Sequence, residues 1–356
     1  MTGLTLRLDG DGWRTHLRDV AANTPGLVPV IKGNGYGFGL RRLAQEAAGL
    51  GVDTVAVGVA AEVETVREVF GGSIVVLHPW QAGDPLATEL ASDPRVITTV
   101  STVEHLAMLA GSGPSPRVLL EVLTSMRRHG IVPERLAETA RQLEALNHGG
   151  VKFEGWTIHL PLLEKGRYAE AQRLGRAALA AHPGTLWLSH LPSAEAMALS
   201  RELTGADGRP APLRQRVGTR LWLGAADSRS TTATVLDVHP VRRGERIGYR
   251  QRLVPADGWV LVIAGGTSQG VGLEAPTSAS SIRQRAVALA TGSLEATGLA
   301  LSPYTVAGRK RWFLEPPHMQ SSMVFLPGKE TPPAVGDEVP VELRLTTATV
   351  DHIVES

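Results

Sequence analysis

Short apolar runs alternate with longer amphipathic, alanine-rich segments through the first two thirds of the chain. The apolar runs fall at residues 27–31, 54–59, 73–77, 96–100, 117–122, 153–159, 185–189 and 215–223. Segments with helical periodicity lie between them, at residues 40–50, 60–70, 103–109, 133–146, 168–180 and 193–203. Strands that alternate with helices are usually parallel and joined by crossover helices. Eight such units predict a (β/α)8 barrel, with a doubly wound open sheet as the alternative.

The pattern changes near residue 228. Runs rich in β-branched residues, separated by Pro and Gly clusters, follow at residues 231–239, 248–253, 259–264, 319–326 and 338–345. Helical periodicity returns only at residues 281–290. Such a succession is typical of an all-β domain. We therefore predict a barrel domain over residues 1–228 and a mostly-β domain over residues 229–356.

Lys32 ends the first apolar run and opens a glycine-rich stretch, residues 33–39. The chain has only five lysines among 36 basic residues, so arginine is its usual surface cation. A lysine at the end of a buried strand is easily discharged by desolvation, which suits a nucleophile. The alternative is a lysine whose ammonium reaches water. In a barrel, catalytic side chains follow the C-terminal ends of strands; Lys32 and His159 fall there, whereas Arg216 lies nearer the start of its run.

Composition narrows the classes of function. With 356 residues, of which 43% are hydrophobic, the chain can build two cores. The net charge is +1 without a basic stripe, which argues against a nucleic-acid partner. We find no apolar run long enough for a membrane and no signal-peptide pattern, and expect a cytoplasmic protein. The absence of cysteine excludes disulfides, thiolate metal sites and cysteine nucleophiles.

The stretch Val-Ile-Lys-Gly-Asn-Gly-Tyr-Gly-Phe-Gly at residues 30–39 resembles the pyridoxal-phosphate lysine motif of the alanine racemase family, Lys-Ala-Asn-Ala-Tyr-Gly-His-Gly. Six further segments resemble motifs of that family in the same order, at residues 124–130, 156–159, 189–194, 216–218, 244–249 and 318–324. The resemblance covers residues 4 to 345. It implies a pyridoxal 5'-phosphate barrel of fold type III followed by a β-domain.

The resemblance also implies roles. Lys32 would hold the cofactor covalently and move the substrate Cα proton on one face. Tyr249 would be the base on the other face, although an aromatic residue on a β-strand is the alternative reading. A free tyrosine has a pKa of ~10, so a nearby cation must stabilise its phenolate at neutral pH. The family pattern places Arg128 and His159 close enough to stabilise it.

The remaining implied contacts hold the cofactor and the substrate. Arg216 would donate to the pyridine nitrogen, unless it forms a surface ion pair. Tyr36, Ser193 and the backbone amides of Gly218 and Thr219 would bind the phosphate. Ser193 is also predicted to cap the helix that follows it, which is compatible with phosphate binding. The substrate would contact Arg128 and Met319.

Several residues depart from the family pattern. Glu121 stands where many racemases carry a carbamylated lysine, and its carboxylate can supply the same negative charge. Thr267 replaces an aromatic residue, and Gln320 replaces an aspartate. The sequence reaches Ser356 without the segment in which the family has a second tyrosine. We therefore expect a wider pocket that is less selective for alanine.

We predict an amino-acid racemase that interconverts L- and D-enantiomers by two-base proton transfer. The bases are Lys32 and Tyr249 of the partner subunit in a homodimer with shared active sites. The alternative is a racemase scaffold that binds pyridoxal phosphate without catalysis or serves another reaction of this cofactor. Related decarboxylases and zinc-dependent eliminases use a cysteine, which this chain lacks.

Overall fold

The computed structural model describes residues 2–111, 115–146, 150–204, 208–273 and 300–356. The chain divides into two compact units: Arg14–Gly224, here called the barrel unit, and Met1–Trp13 together with Ala225–Ser356, here called the β-rich unit. The helix predicted at residues 281–290 lies outside the described residues. Within the described residues, no helix combines the length and the hydropathy needed to cross a bilayer.

Strand β1 (Leu4–Leu8) belongs to the β-rich unit, and the next eight strands form the barrel. These are β2 (Leu27–Pro29), β3 (Thr54–Val57), β4 (Ser73–Val76), β5 (Val96–Val100), β6 (Arg117–Val122), β7 (Lys152–His159), β8 (Leu186–Ser189) and β9 (Leu213–Val217). Neighbours pair in parallel in the order β2-β9-β8-β7-β6-β5-β4-β3. A bridge between Val30 and Ala56 joins the two ends of this row. The predicted (β/α)8 barrel is thereby confirmed, and the open sheet is excluded.

The barrel strands are apolar on both faces, as expected for a parallel sheet that is covered by helices. All five residues of β5 are buried. Val28, Val75, Ile97 and Leu119 pack into one cluster, whereas Leu120 belongs to a separate, larger cluster that includes helix residues. Successive strand residues therefore face opposite sides of the barrel wall.

The helices occupy the segments between strands. They are α1 (Gly10–Ala22), α2 (Leu40–Gly49), α3 (Val63–Arg67), α4 (Pro85–Leu90), α5 (Val103–Ala110), α6 (Leu136–Leu146), α7 (Arg167–Ala181), α8 (Ser193–Glu202) and α9 (Thr219–Leu223). Side-chain caps begin three of them: Asp9 accepts from Gly12 N, Asp84 accepts from Ala87 N, and Thr102 accepts from His105 N. Ser193 is the first residue of α8 and makes no cap bond, so its predicted capping role is wrong.

The eighth predicted strand, at residues 215–223, is shorter than expected. At Gly218 the backbone adopts φ −115° and ψ −91°, which ends β9, and Thr219 begins α9. Arg216 is therefore the penultimate residue of β9 and lies at the C-terminal end of its strand. Its predicted position near the start of the strand is wrong, because the apolar run continues from the strand into the helix.

The β-rich unit contains the remaining strands: β10 (Arg229–Val241), β11 (Arg246–Ile247), β12 (Arg252–Leu253), β13 (Gly258–Ala264), β14 (Leu301–Val306), β15 (Arg309–Trp312), β16 (Ser321–Pro327), β17 (Glu338–Pro340) and β18 (His352–Glu355). The main sheet has the order β16-β13-β10-β1-β18, and β17 also pairs with β10. Leu4, Val235, Ile263, Tyr304 and Val324 share its core.

The first strand differs from the predicted domain limits of 1–228 and 229–356. Leu4 pairs with Ala233 on β10, and Thr5 pairs with His352 on β18. Leu4, Leu6 and Leu8 are buried, and both strands that pair with β1 come more than two hundred residues later in the chain. The β-rich unit is consequently built from both ends of the described chain.

Candidate active site

Lys32 lies three residues after Pro29, the last residue of the short strand β2. Its position is held by Glu62, which lies in the segment that follows β3. The Glu62 Oε1 atom accepts a hydrogen bond from Gly33 N at 2.7 Å, and Oε2 accepts from Gly58 N at 2.6 Å. A Cβ atom at Gly58 would lie 3.1 Å from the Lys32 Cβ. Glu62 was not among the predicted site residues, because its contacts join two loops that are distant in sequence.

The environment of Lys32 lowers the pKa of its ammonium group. Its side chain is solvent-exposed at the strand end, but the surrounding atoms still remove part of its hydration. This desolvation and the positive charges of Arg128 and Arg216 lower the Lys32 pKa from 10.5, against an opposing effect of Glu62. A lysine with a lowered pKa has more of its amine available as a nucleophile or base at neutral pH.

Tyr36 lies in the glycine-rich loop after Lys32. The loop winds through the left-handed region, with Tyr36 itself at φ 54°. Burial, and secondarily the charge of Glu62, raises the pKa of Tyr36 to about 12, so its hydroxyl remains a hydrogen-bond donor. A methyl group at Gly218 would lie 2.1 Å from Tyr36 Oη. Only glycine at position 218 lets this hydroxyl approach the start of α9 so closely.

Two hydroxyls and a guanidinium meet beside α8. Thr24 Oγ1 lies 3.3 Å from Ser193 Oγ, and Arg220 Nη2 donates to Thr24 Oγ1 at 3.1 Å and to Ser193 Oγ at 3.4 Å. Gly218 and Thr219 precede Arg220 in the chain and lead into α9. Ser193 was predicted for this site, whereas Arg220 was not. In the sequence, the only indication that Arg220 belongs to this site was its position two residues after Gly218.

Arg216 is 7% exposed and projects from β9. Burial lowers the Arg216 pKa to about 10, while Glu121 opposes the decrease, so the guanidinium stays charged at neutral pH. Among the residues that the structure describes, its Nε and Nη2 atoms have no hydrogen-bond partner. Buried N–H groups are normally paired. These two groups fit an acceptor atom that the protein itself does not supply.

Glu121 on β6 is the buried carboxylate of this region, at 4% exposure. Burial raises its pKa, and the charges of Arg216 and Arg128 act in the opposite direction. Its Oε2 atom finds no hydrogen-bond partner within the described part of the chain. The carboxylate therefore influences the two guanidiniums through its charge.

Arg128 lies on an exposed loop whose base is firmly anchored. Glu170 on α7 accepts from Ser125 N at 2.5 Å and from Ser125 Oγ at 2.8 Å. Thr124 Oγ1 donates to the backbone oxygen of His159 at 3.0 Å. These bonds connect the loop after β6 to β7 and α7, and leave the Arg128 side chain open to solvent.

His159 ends β7 and is a neutral imidazole. Its Nδ1 atom lies 2.6 Å from Ser189 Oγ on β8, and its ring centroid lies 4.9 Å from that of His190. Burial, followed by the charges of Arg216 and Arg128, lowers the His159 pKa to about 2. His159 can therefore offer a hydrogen bond, but not the positive charge that would favour a phenolate.

Tyr249 and Met319 belong to the β-rich unit. The strand predicted at residues 248–253 is instead a hairpin, in which Tyr249 lies in the turn between β11 and β12. Tyr249 is 87% exposed, and Met319 is 72% exposed. The other predicted site residues belong to the barrel unit, whereas these two exposed side chains belong to the β-rich unit.

Comparisons with known proteins identify the family to which the chain is similar. The family model "Alanine racemase, N-terminal domain" matches residues 9–199. The alanine racemase of Nitratidesulfovibrio vulgaris strain DP4 is 27% identical over 266 residues, which cover 67% of each chain. An alanine racemase structure from Clostridium difficile 630 superposes with a TM-score of 0.73 at 16% identity, covering 100% of this chain and 97% of that chain.

A second structure, the biosynthetic alanine racemase from Pseudomonas aeruginosa, gives a TM-score of 0.69 at 18% identity and covers 100% of both chains. At these identities the structures establish the shared fold. The family model spans more than half of the sequence. The chain belongs to the alanine racemase family.

Proposed function

We propose that the protein is a pyridoxal 5'-phosphate-dependent racemase that interconverts the L- and D-enantiomers of an amino acid. Its family membership supports a racemase. The observation that carries the proposal is the pair of unpartnered, buried N–H groups of Arg216, which lies close enough to Lys32 to lower the lysine pKa. This combination fits an aromatic cofactor that has both an aldehyde and a ring acceptor.

The described residues fit pyridoxal phosphate at three points. Lys32 offers the amine for its aldehyde, and Arg216 offers donors for its ring nitrogen. Tyr36 and Ser193 have hydroxyls for its phosphate, near the amides of Gly218 and Thr219, and Arg220 adds a positive charge beside Ser193. When bound, the cofactor ring withdraws electrons and acidifies the Cα–H bond of an attached amino acid.

Two bases on opposite faces would complete the reaction. The Lys32 amine, with its lowered pKa, accepts or returns the Cα proton on one side. Tyr249 of the partner subunit acts on the other side, and its high exposure leaves it available to a second molecule. Because each base can deliver as well as remove a proton, either enantiomer can be the substrate.

Arg216 would limit side reactions. A guanidinium whose pKa is about 10 keeps its proton at neutral pH, so it hydrogen-bonds to the ring nitrogen without protonating it. The ring is then a weaker electron sink than a protonated pyridine. This restraint favours return of the proton to Cα over its transfer elsewhere, which would lead to transamination.

The substrate would contact Arg128 and Met319. The exposed guanidinium of Arg128 suits an amino-acid carboxylate. Glu121 balances the positive charges of Arg128 and Arg216. It thereby supplies the negative charge that the carbamylated lysine supplies in many family members. Since the His159 pKa is about 2, His159 contributes hydrogen bonding rather than charge.

An absorbance spectrum of the protein mixed with pyridoxal phosphate, followed by Cα proton exchange in deuterated water, tests the proposal. We expect a near-visible band that Lys32→Ala abolishes, and exchange into both enantiomers of particular amino acids. A band without exchange of any amino acid would contradict the racemase. No band in the wild-type protein would contradict the cofactor assignment as well.

A further inference from the structure

The backbone in front of Tyr249 rests on a buried carboxylate. Glu315 is 3% exposed. Gly248 adopts φ 72°, and a methyl group there would lie 2.2 Å from Glu315 Oε2. The backbone N–H of Arg250, on the other side of Tyr249, points to the same oxygen at 3.5 Å. The turn that contains Tyr249 therefore packs directly against the Glu315 carboxylate, on both sides of Tyr249.

The ring of Tyr249 also has a neighbour that Glu315 fixes. His318 Nε2 lies 2.5 Å from Glu315 Oε1, and the His318 ring centroid lies 4.8 Å from that of Tyr249, with the planes at 57°. His318 follows Glu315 by three residues, so a short segment carries both groups. The carboxylate thus touches the Tyr249 turn directly and supports its ring through the imidazole.

We propose that Glu315 and His318 are positioning residues that hold the Tyr249 ring for proton transfer. This inference rests on the proposed role of Tyr249 as a base. An exposed tyrosine would otherwise sample several χ1 and χ2 rotamers, and proton transfer requires a narrow range of geometry. The imidazole restricts the ring from one side while the opposite edge remains free.

Three substitutions separate the two contacts of His318. His318→Phe keeps a ring without a bond to Glu315, His318→Gln keeps a donor without a ring, and His318→Ala keeps neither. His239→Gln is the matched control, since His239 also pairs with a carboxylate, that of Asp237 at 3.2 Å, and lies in the same unit. His318 is partly exposed, so none of these changes removes a fully buried side chain.

The ordering of Tyr249 is measured by ¹⁹F NMR of the full chain labelled with 3-fluorotyrosine. The chain has four tyrosines, and Tyr249→Phe identifies the resonance of interest. We expect this resonance to shift and narrow in His318→Ala, to shift less in His318→Phe, and to remain unchanged in His239→Gln. An unchanged resonance in His318→Ala would overturn the inference, whether or not the protein racemises amino acids.

Kinetics test whether the ordering matters for catalysis. In the holoenzyme we expect kcat to fall by roughly 10- to 100-fold in His318→Ala with KM little changed, because the geometry of proton transfer and not binding is impaired. A shifted resonance with unchanged kcat would overturn the positioning role. If the wild-type protein does not racemise any amino acid, the proposed function fails, and the NMR result alone decides whether the pair orders Tyr249.

Discussion

Lys32, Arg216 and His159 are three basic groups whose protonated forms are all disfavoured by burial. Each of them also experiences the positive charge of a neighbour. Arg128 and Arg216 lower the pKa of Lys32 and of His159. Arg128 in turn lowers the pKa of Arg216. The outcome depends on the intrinsic basicity of each group. The arginine stays charged, the histidine is neutral, and the lysine is shifted towards the free amine. One electrostatic environment thus produces a hydrogen-bonding cation, a neutral imidazole and a reactive amine.

His159 should make the protein sensitive to acid. In the unfolded chain a histidine takes up a proton below pH ~6.5, whereas the folded protein resists protonation until about pH 2. Stability is therefore lost as the pH falls from ~6.5, by at most ~1.4 kcal/mol per pH unit. We expect His159→Gln to flatten the dependence of the unfolding free energy on pH, measured by urea denaturation.

The control for this experiment is Ser189→Ala, which removes the hydrogen-bond partner of His159 without removing a titrating group. It should change stability by a similar amount at each pH. If the curves of the wild type and His159→Gln run parallel between pH ~6.5 and ~4, the neutral state of His159 is not the cause.

At the residue scale, the position of a side chain relative to a strand could be predicted from the local sequence pattern. Lys32 was expected at a strand end because an apolar run stops there, and it follows β2. Glu62 and Arg220 could not be found in this way. Glu62 bonds to the loop after Lys32, and Arg220 bonds to Thr24, so both contacts join segments that only the closed barrel brings together.

Among the elements, α9 is the one that most affects the candidate site. It starts directly after Gly218, and the Tyr36 hydroxyl packs against Gly218 at this start. The sequence predicted a single strand over residues 215–223, because Leu221, Trp222 and Leu223 continue the apolar run. Leu221 and Trp222 are indeed buried, but on a helix. A short apolar run does not by itself distinguish a strand from a buried helix.

Gly218→Ala tests this junction. The added methyl group would meet Tyr36 Oη at 2.1 Å, so either the hydroxyl or the start of α9 must move. We expect the affinity for pyridoxal phosphate to fall by about tenfold or more, since a single misplaced donor has effects of this order. The dissociation constant is obtained by titrating the cofactor absorbance.

Gly49→Ala is the matched control for that substitution. Gly49 ends α2. Apart from its chain neighbours and the adjacent backbone of its own helix, no atom of the described residues lies within 4 Å of the position that its Cβ would take. It should leave the affinity for the cofactor unchanged, and a helical alanine should be tolerated there. Equal affinities of the two variants would show that the approach of Tyr36 to Gly218 does not matter for binding.

At the scale of the whole molecule, the eight-stranded barrel was predictable, because eight strand–helix repeats produce a regular pattern. The assignment of β1 was not. Its alternation of Leu4, Leu6 and Leu8 with polar residues is a strand signal, but nothing local indicates that β10 and β18 are its neighbours. Pairing over such a distance in sequence is decided by the tertiary fold.

The proposed sharing of active sites between subunits is also a property of the whole molecule. In a heterodimer of Lys32→Ala and Tyr249→Phe chains, one site combines the intact Lys32 with the intact Tyr249, and the other has neither. We therefore expect about half of the wild-type activity per dimer, although each variant is inactive alone. Differently tagged chains allow purification of the heterodimer before the assay. Inactive heterodimers would place both bases in the same subunit.

The pairing of β1 with β10 and β18 has a consequence for biosynthesis. On the ribosome, residues 4–8 are made long before either neighbouring strand has been translated, whereas the segments of the barrel unit emerge one after another. A nascent chain can thus assemble its barrel while both edges of β1 are still unpaired. Unpaired edges invite association with other chains. Premature termination before residue 352 would leave the edge of β1 that pairs with β18 open permanently. Such truncated products should therefore depend on chaperones or be degraded.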